Sequence, residues 1–240
     1  MIDQKAILLD IEGTTVPITF VYNILFPYSR ERMFAYLSEH GDDPEIQNAL
    51  LNLKVGNQAD VKHGAPASNG KTGSEYLNWA ATYCLWLMDR DRKTTSLKMI
   101  QGLIWEEGFN RGELQSELFS DVPGCLSSWH ANRHRIAIYS SGSVSAQKLV
   151  FGYTPFGNLL PFIEAFFDTR TGPKQDAKSY ERIASELSLE ARDVLFVSDV
   201  LAELDAASTA GMSVALSIRP GNAPVSNNHF YRTVTSLKEL

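Results

Sequence analysis

The chain predicts an α/β fold, an open parallel sheet interrupted by an all-helical insertion. Three observations lead there. Apolar runs recur without strict alternation, the pattern of strands buried on both faces. Helical stretches follow these runs, which calls for a parallel sheet with helical crossovers. One long segment after the first run carries helices with no strand between them.

The first strand is expected in "KAILLD", Lys5 to Asp10, ending abruptly in two acids, Asp10 and Glu12, followed by Gly13 and two threonines. The helical insertion spans 17–122, with helices in "YSRERMFAYLSEH", "DPEIQNALLNLKV", "SEYLNWAATYCLWLMDRD" and "TTSLKMIQGLIWEEGF". Within it, 57–73 is rich in Gly, Ala, Ser and Asn without apolar period, which predicts a long loop. Leu77, Ala81, Cys84, Leu85 and Met88 form a core stripe, and Thr94 or Thr95 caps the next helix. The core resumes over 123–240, completing the part begun in 1–16. Strong strands are expected at Arg135 to Ser141 and Asp193 to Asp199, with weaker ones at Ala165 to Thr169 and Ser213 to Ile218. Helices are expected near Ser143, Asp176 and Leu201, the last stopped by Gly211.

A formal charge of −6 and the lack of a dense Lys/Arg run leave no electrostatic footprint for nucleic acid or an anionic membrane. No apolar stretch reaches the ~18 residues of a membrane span, and the start lacks a secretory pattern, so a cytoplasmic protein is expected. Without a heptad seam, a monomer is the expectation. Cys84 and Cys125 are expected as packed, reduced thiols. His130 and His134 lack a third ligand nearby and are not assigned to a metal.

Ligands of open parallel sheets bind beyond the carboxyl ends of the strands. There the chain places "DIEGTT", "SSGS", "SDVLAE" and, after a weaker strand, "TGPK". Taken alone, each has a plainer use: acids and serines cap helices, and lysines are solvated. Together they suit phosphoryl chemistry. Asp10 can attack phosphorus, Ser140 and Ser141 with the amides around Gly142 can hold phosphate oxygens, and Lys174 supplies fixed positive charge. Approach of two anions needs a cation, and Mg²⁺ held by Asp10 and Asp199, with Glu12 offering its carboxylate or its carbonyl, supplies one. Glu203 orients that shell or Lys174, or is a solvated helix acid.

With these motifs the sequence resembles the haloacid dehalogenase superfamily and, more closely, its bifunctional enolase-phosphatase family of methionine salvage. Superfamily members usually carry Asp-x-Asp first, and Glu12 in "LLDIEGTT" is the substitution that family shares. The segments "FVYNILFPYS", "DRKTTSLKMIQGLIW", "IYSSGSVSAQKLVFG", "FDTRTGPK", "FVSDVLAELDAA" and "IRPGNAP" extend the resemblance from Ile7 nearly to the C-terminus. It implies a Rossmann-like core with a helical cap. It also implies one Mg²⁺ at Asp10, Glu12 and Asp199, and substrate contacts at Ser140, Ser141 and Lys174. Asp10 and Glu12 are the implied catalytic pair. The implied substrate is 5-(methylthio)-2,3-dioxopentyl phosphate, enolised and then dephosphorylated to the acireductone 1,2-dihydroxy-5-(methylthio)pent-1-en-3-one. A general sugar-phosphate phosphatase is the runner-up. A metal-independent dehalogenase and a non-catalytic metal- or phosphate-binding module are the remaining alternatives.

Overall fold

Six parallel strands lie in the order β3-β2-β1-β4-β5-β6 in the computed structural model, which describes residues 2–225 and 229–240. The strands are β1 (Ala6–Leu9), β2 (Arg135–Tyr139), β3 (Ala165–Phe167), β4 (Val194–Ser198), β5 (Ser213–Ser217) and β6 (Arg232–Val234). The short strand β6 falls in a segment without an apolar run. It forms because β5 offers it an edge, pairing Ala215 with Arg232 and Ser217 with Val234.

β1 is central, pairing with β2 through Leu8–Ala137 and with β4 through Leu8–Phe196. Burial on both faces explains the unbroken apolar runs. Ala6 and Leu8 face one side with Tyr139, Tyr180, Phe196 and Leu204, while Ile7 and Leu9 are equally buried on the other. Burial of Ile7, Leu8 and Leu9 contributes roughly 1.5–3 kcal/mol for each side chain.

The chain forms two compact units, Met1–Tyr22 with Leu114–Leu240, and Asn23–Glu113. The second holds α2 (Phe26–His40), α3 (Pro44–Asp60), α4 (Gly73–Met88) and α5 (Thr95–Asn110); the single turn α1 (Ile18–Phe20) precedes it in the first unit. Between α1 and α2 the helix widens to π spacing over Val21–Leu25. Helix α3 runs through Asp60, further than the sequence composition predicts. Asn57 donates to the Pro66 carbonyl at 3.0 Å, and buried Asp60 accepts from the Tyr83 hydroxyl at 2.5 Å and from Arg92. The residues that looked like loop polars are the buried anchors of a helix end. The buried face of α4 centres on Ala80, Cys84 and Leu87, with Leu77, Leu85 and Met88 flanking it. Thr94 caps α5, accepting from the Leu97 amide.

The first unit adds α6 (Val122–Ala131), α7 (Val144–Gly152), α8 (Ala177–Glu186) and α9 (Leu201–Thr209). Gly211, at φ +92°, ends the last of these. Cys84 and Cys125 are buried free thiols. Among the described residues no helix is long and apolar enough to cross a membrane.

Candidate active site

The sheet order brings the sequence-predicted residues to one place. Because β1 runs between β2 and β4, Asp10 at its carboxyl end has Ser140 and Ser141 on one side and Asp199 on the other. These four, with Glu12, Ile18, Tyr22, Lys174, Val200 and Glu203, line a cavity of about 240 Å³.

Asp10 extends the ladder, its amide donating to the Val197 carbonyl at 3.0 Å. The chain then reverses: the Ile11 carbonyl accepts the amides of Thr14, Thr15 and Val16, and the Thr15 hydroxyl donates to the carbonyls of Asp10 and Ile11. Gly13, at φ +72°, makes this turn possible, since side-chain-bearing residues are strained there. The turn is tied down from the segment after β5. The Asn222 side-chain amide and the Ser217 hydroxyl donate to the Gly13 carbonyl, and buried Arg219 donates to that of Thr14.

Lys174, in the β3–α8 connection, reaches Asp10 Oδ1 at 2.6 Å and Glu203 Oε2 at 2.5 Å. All three side chains are largely buried. Burial opposes the ammonium charge of Lys174, yet the two flanking carboxylates outweigh it and hold the amine protonated well above its ordinary range. Aromatic hydroxyls fix its backbone: Tyr180 donates to the Lys174 carbonyl and Tyr139 to that of Gly172. The Ser198 hydroxyl completes the clamp by donating to Glu203 Oε2 at 2.9 Å.

The Ser140 amide donates to the Phe167 carbonyl, while its Oγ accepts from the Gly142 amide at 3.1 Å. That amide is therefore turned onto Ser140. The loop is braced from behind by Gln147, whose buried side-chain amide donates to the carbonyls of Gly142 and Phe167. Asp168 accepts from the Val144 amide.

Negative charge is in excess on the Asp199 side. Burial first, then Asp10 and Glu12, push the Asp199 carboxyl up to about 7; burial and Asp10 likewise raise Glu203. Among the described residues no three His, Cys, Asp or Glu side chains converge as a ready metal cage. The donors nonetheless fit a hard cation. Asp10 and Asp199 are anionic oxygens crowded together, the Asn222 Oδ1 beside Gly13 is buried without a partner, and octahedral Mg²⁺ takes only one or two carboxylates, leaving positions to water and substrate.

Glu203, one helical turn past Asp199, belongs to the Lys174 clamp and not to solvent. In the sequence only the unusual loop composition of "IRPGNAP" beside a strand end marks Asn222 and Arg219. His130 and His134 lie elsewhere, the latter donating through Nδ1 to the Gln4 carbonyl.

Residues 4–211 match the family model of haloacid dehalogenase-like hydrolases. The enolase-phosphatase E1 of Synechococcus elongatus is 47% identical over 234 residues, covering 98% of this chain and 96% of its own. That of Thioalkalivibrio sulfidiphilus is 45% identical, covering 91% of each chain. The solved structure of the UTR4 protein from Saccharomyces cerevisiae matches at a TM-score of 0.79 and 33% identity, over 99% of this chain and 100% of that one.

Proposed function

The chain belongs to the haloacid dehalogenase-like hydrolases and, within them, to the enolase-phosphatase E1 family, and on that footing we propose that it enolises 5-(methylthio)-2,3-dioxopentyl phosphate and then removes its phosphate. The products are the acireductone 1,2-dihydroxy-5-(methylthio)pent-1-en-3-one and inorganic phosphate. Relatives at 45–47% identity along nearly the whole chain favour this substrate over a general sugar phosphate.

One observation supports the chemistry above the rest: a buried ammonium, Lys174, held 2.6 Å from Asp10 in a cavity whose other charged lining groups are all carboxylates. An anionic substrate entering that cavity needs fixed positive charge, and Lys174 is the cation aimed into it. Asp10 attacks phosphorus, the bond to the enol oxygen breaks, and an aspartyl-phosphate forms; water then frees Asp10 and phosphate. Lys174 holds one Asp10 oxygen and orients the other. Ser140 and Ser141 bind non-bridging oxygens. Glu12 is the neighbouring acid for proton transfer to the leaving oxygen, and Glu203 keeps Lys174 in place. Asp10, Asp199 and Glu12 would hold Mg²⁺, which when bound neutralises the phosphoryl charge and polarises the diketone oxygens.

The same proposal makes residues 17–122 the cap and places a monomeric enzyme in the cytoplasm, in methionine salvage. The test is to supply the diketone phosphate with Mg²⁺ and follow enol absorbance and phosphate release together. Enol formation followed by phosphate release is expected; phosphate release without an enol phase would leave a phosphatase of another substrate.

A further inference from the structure

At the amino end of β2, a strand's length from Ser140, lies a second cavity of about 500 Å³, between the end of α6 and the segment 161–164. Its size lies in the range of small-molecule sites. Its lining is mixed: Ile136, Phe162 and Ile163 are apolar, while His130, Arg133 and His134 bring basic groups together in a chain of net charge −6.

The charges there are unequally engaged. Arg135 is already engaged, donating to both carboxylate oxygens of Glu164 and to the Leu187 carbonyl. Glu164, which also lines the cavity, keeps its carboxylate paired with Arg135. His134 commits Nδ1 to the Gln4 carbonyl. Arg133 is exposed, and no described carboxylate pairs with it.

The backbone of Arg133 is equally informative. Its amide donates to the His130 carbonyl, and the next amide, of His134, donates back to that of Trp129. This is the paired closure that usually ends a helix on glycine. Arginine occupies the glycine position, at φ +65°. From this turn the Arg133 side chain lines the cavity. Beside it, His130 meets Phe162 edge to face, with centroids 5.6 Å apart.

We propose that this cavity binds a small planar anion, an aromatic or heteroaromatic ring bearing a phosphate, with Arg133 on the oxyanion and the Phe162–His130 wall against the ring. A guanidinium suits a phosphate because its planar fork donates two parallel hydrogen bonds. The site is separate from the carboxylate cavity and does not depend on the activity assigned to it.

Adenosine monophosphate is the probe, titrated calorimetrically into the wild type, Arg133→Gly, Arg133→Gln and Phe162→Ala, with adenosine titrated into the wild type. Binding at the carboxylate cavity would be the same in all four proteins. The expected result is a wild-type complex weakened at least about 10-fold in both Arg133 variants, the loss associated with one charge-assisted hydrogen bond. Phe162→Ala and removal of the phosphate should each weaken it as well. Arg133→Gly should melt no lower than the wild type, because glycine relieves the positive φ, so its loss of binding cannot come from unfolding. Equal affinity in wild type and both Arg133 variants, or no wild-type binding at millimolar nucleotide, would overturn the site. Equal affinity for adenosine, or an unaffected Phe162→Ala, would remove the anion or the ring from the assignment.

Discussion

Gly13 and Asp199 meet so closely that a β-carbon on the glycine would lie 2.4 Å from Asp199 Oδ2. The same carbon would lie 2.8 Å from Asn222 Oδ1. The turn after β1 and the carboxylate after β4 are therefore fitted to each other, and glycine is required there for space as well as for its φ of +72°. Gly13→Ala should displace Asp199 and lower kcat/KM by about 100-fold or more, the scale at which small misplacements are felt in catalysis. It should also raise the Mg²⁺ concentration needed for half-maximal activity. Gly157, at φ +87° with open space around it, is the control. Gly157→Ala should lower stability by about 1 kcal/mol through backbone strain and leave kcat/KM unchanged. Similar kinetics for the two variants would show that the close approach has no catalytic consequence.

Lys174 and Lys178 sit four residues apart in sequence but in opposite environments. Lys174 is buried between Asp10 and Glu203, while Lys178 is exposed on α8. Lys174→Ala should reduce kcat/KM by roughly 30- to 1,000-fold, corresponding to about 2–4 kcal/mol of lost transition-state stabilisation. It should also destabilise the fold by about 3 kcal/mol, because two buried carboxylates lose their counter-ion. Lys178→Ala should change neither measurably. Steady-state kinetics and urea unfolding on both variants decide it, and equal kinetic losses would move the lysine role away from Lys174.

Much of this arrangement was legible because parallel sheets put function at predictable places. Five strands announce themselves as apolar runs; the acids and serines follow three of those runs directly, and the lysine follows another within one short connection. What escaped has physical causes. β6 carries Arg232 and Thr233, exposed on an edge strand, and so shows no apolar signal. Asn57 and Asp60 are polar and surrounded in sequence by loop-forming residues, yet they are buried by partners from α4 and beyond that no local pattern reveals. Asn222 and Arg219 act on the Gly13–Thr14 carbonyls from more than 200 residues away. A turn held by such distant amide and guanidinium donors looks, in sequence, like any other Gly-Thr turn. Glu203 has two readings in sequence because helical spacing after Asp199 fixes its face but not the lysine that meets it.

A pH-dependent contribution to stability resides in the buried pair of Asp121 and Arg219. Burial would raise the Asp121 carboxyl. Hydrogen bonds from Arg219 at 2.9 Å, the Leu237 amide at 2.6 Å and the Ser236 hydroxyl at 2.9 Å outweigh it and hold the carboxyl below its ordinary range. A carboxyl depressed in the folded state stabilises the fold above its unfolded pKa of about 3.9 and loses that contribution as pH falls through the folded value. Asp121→Asn should therefore cost about 3 kcal/mol at pH 7, where Arg219 is left without its counter-ion, and progressively less below pH 4. Urea unfolding of both proteins from pH 7 to pH 2 measures this. A difference that stays constant across that range would mean the carboxylate charge is not the stabilising element.

Asp10→Asn separates the two chemical steps. An amide has no anionic oxygen to attack phosphorus, so phosphate release should nearly vanish. Enolisation forms no covalent bond to Asp10 and should survive in part, weakened because an amide is a poorer Mg²⁺ ligand and recovering as Mg²⁺ is raised. Lys174 keeps Glu203 as a partner in this variant, so the cavity retains its ammonium. The phosphorylated enol should accumulate, seen as enol absorbance without matching free phosphate in the same progress curve. Near-normal phosphate release from Asp10→Asn would remove Asp10 as nucleophile. Loss of both steps at saturating Mg²⁺, in a variant that melts like the wild type and still binds the ion, would instead make Asp10 a participant in enolisation, placing proton transfer and phosphoryl transfer on one carboxylate.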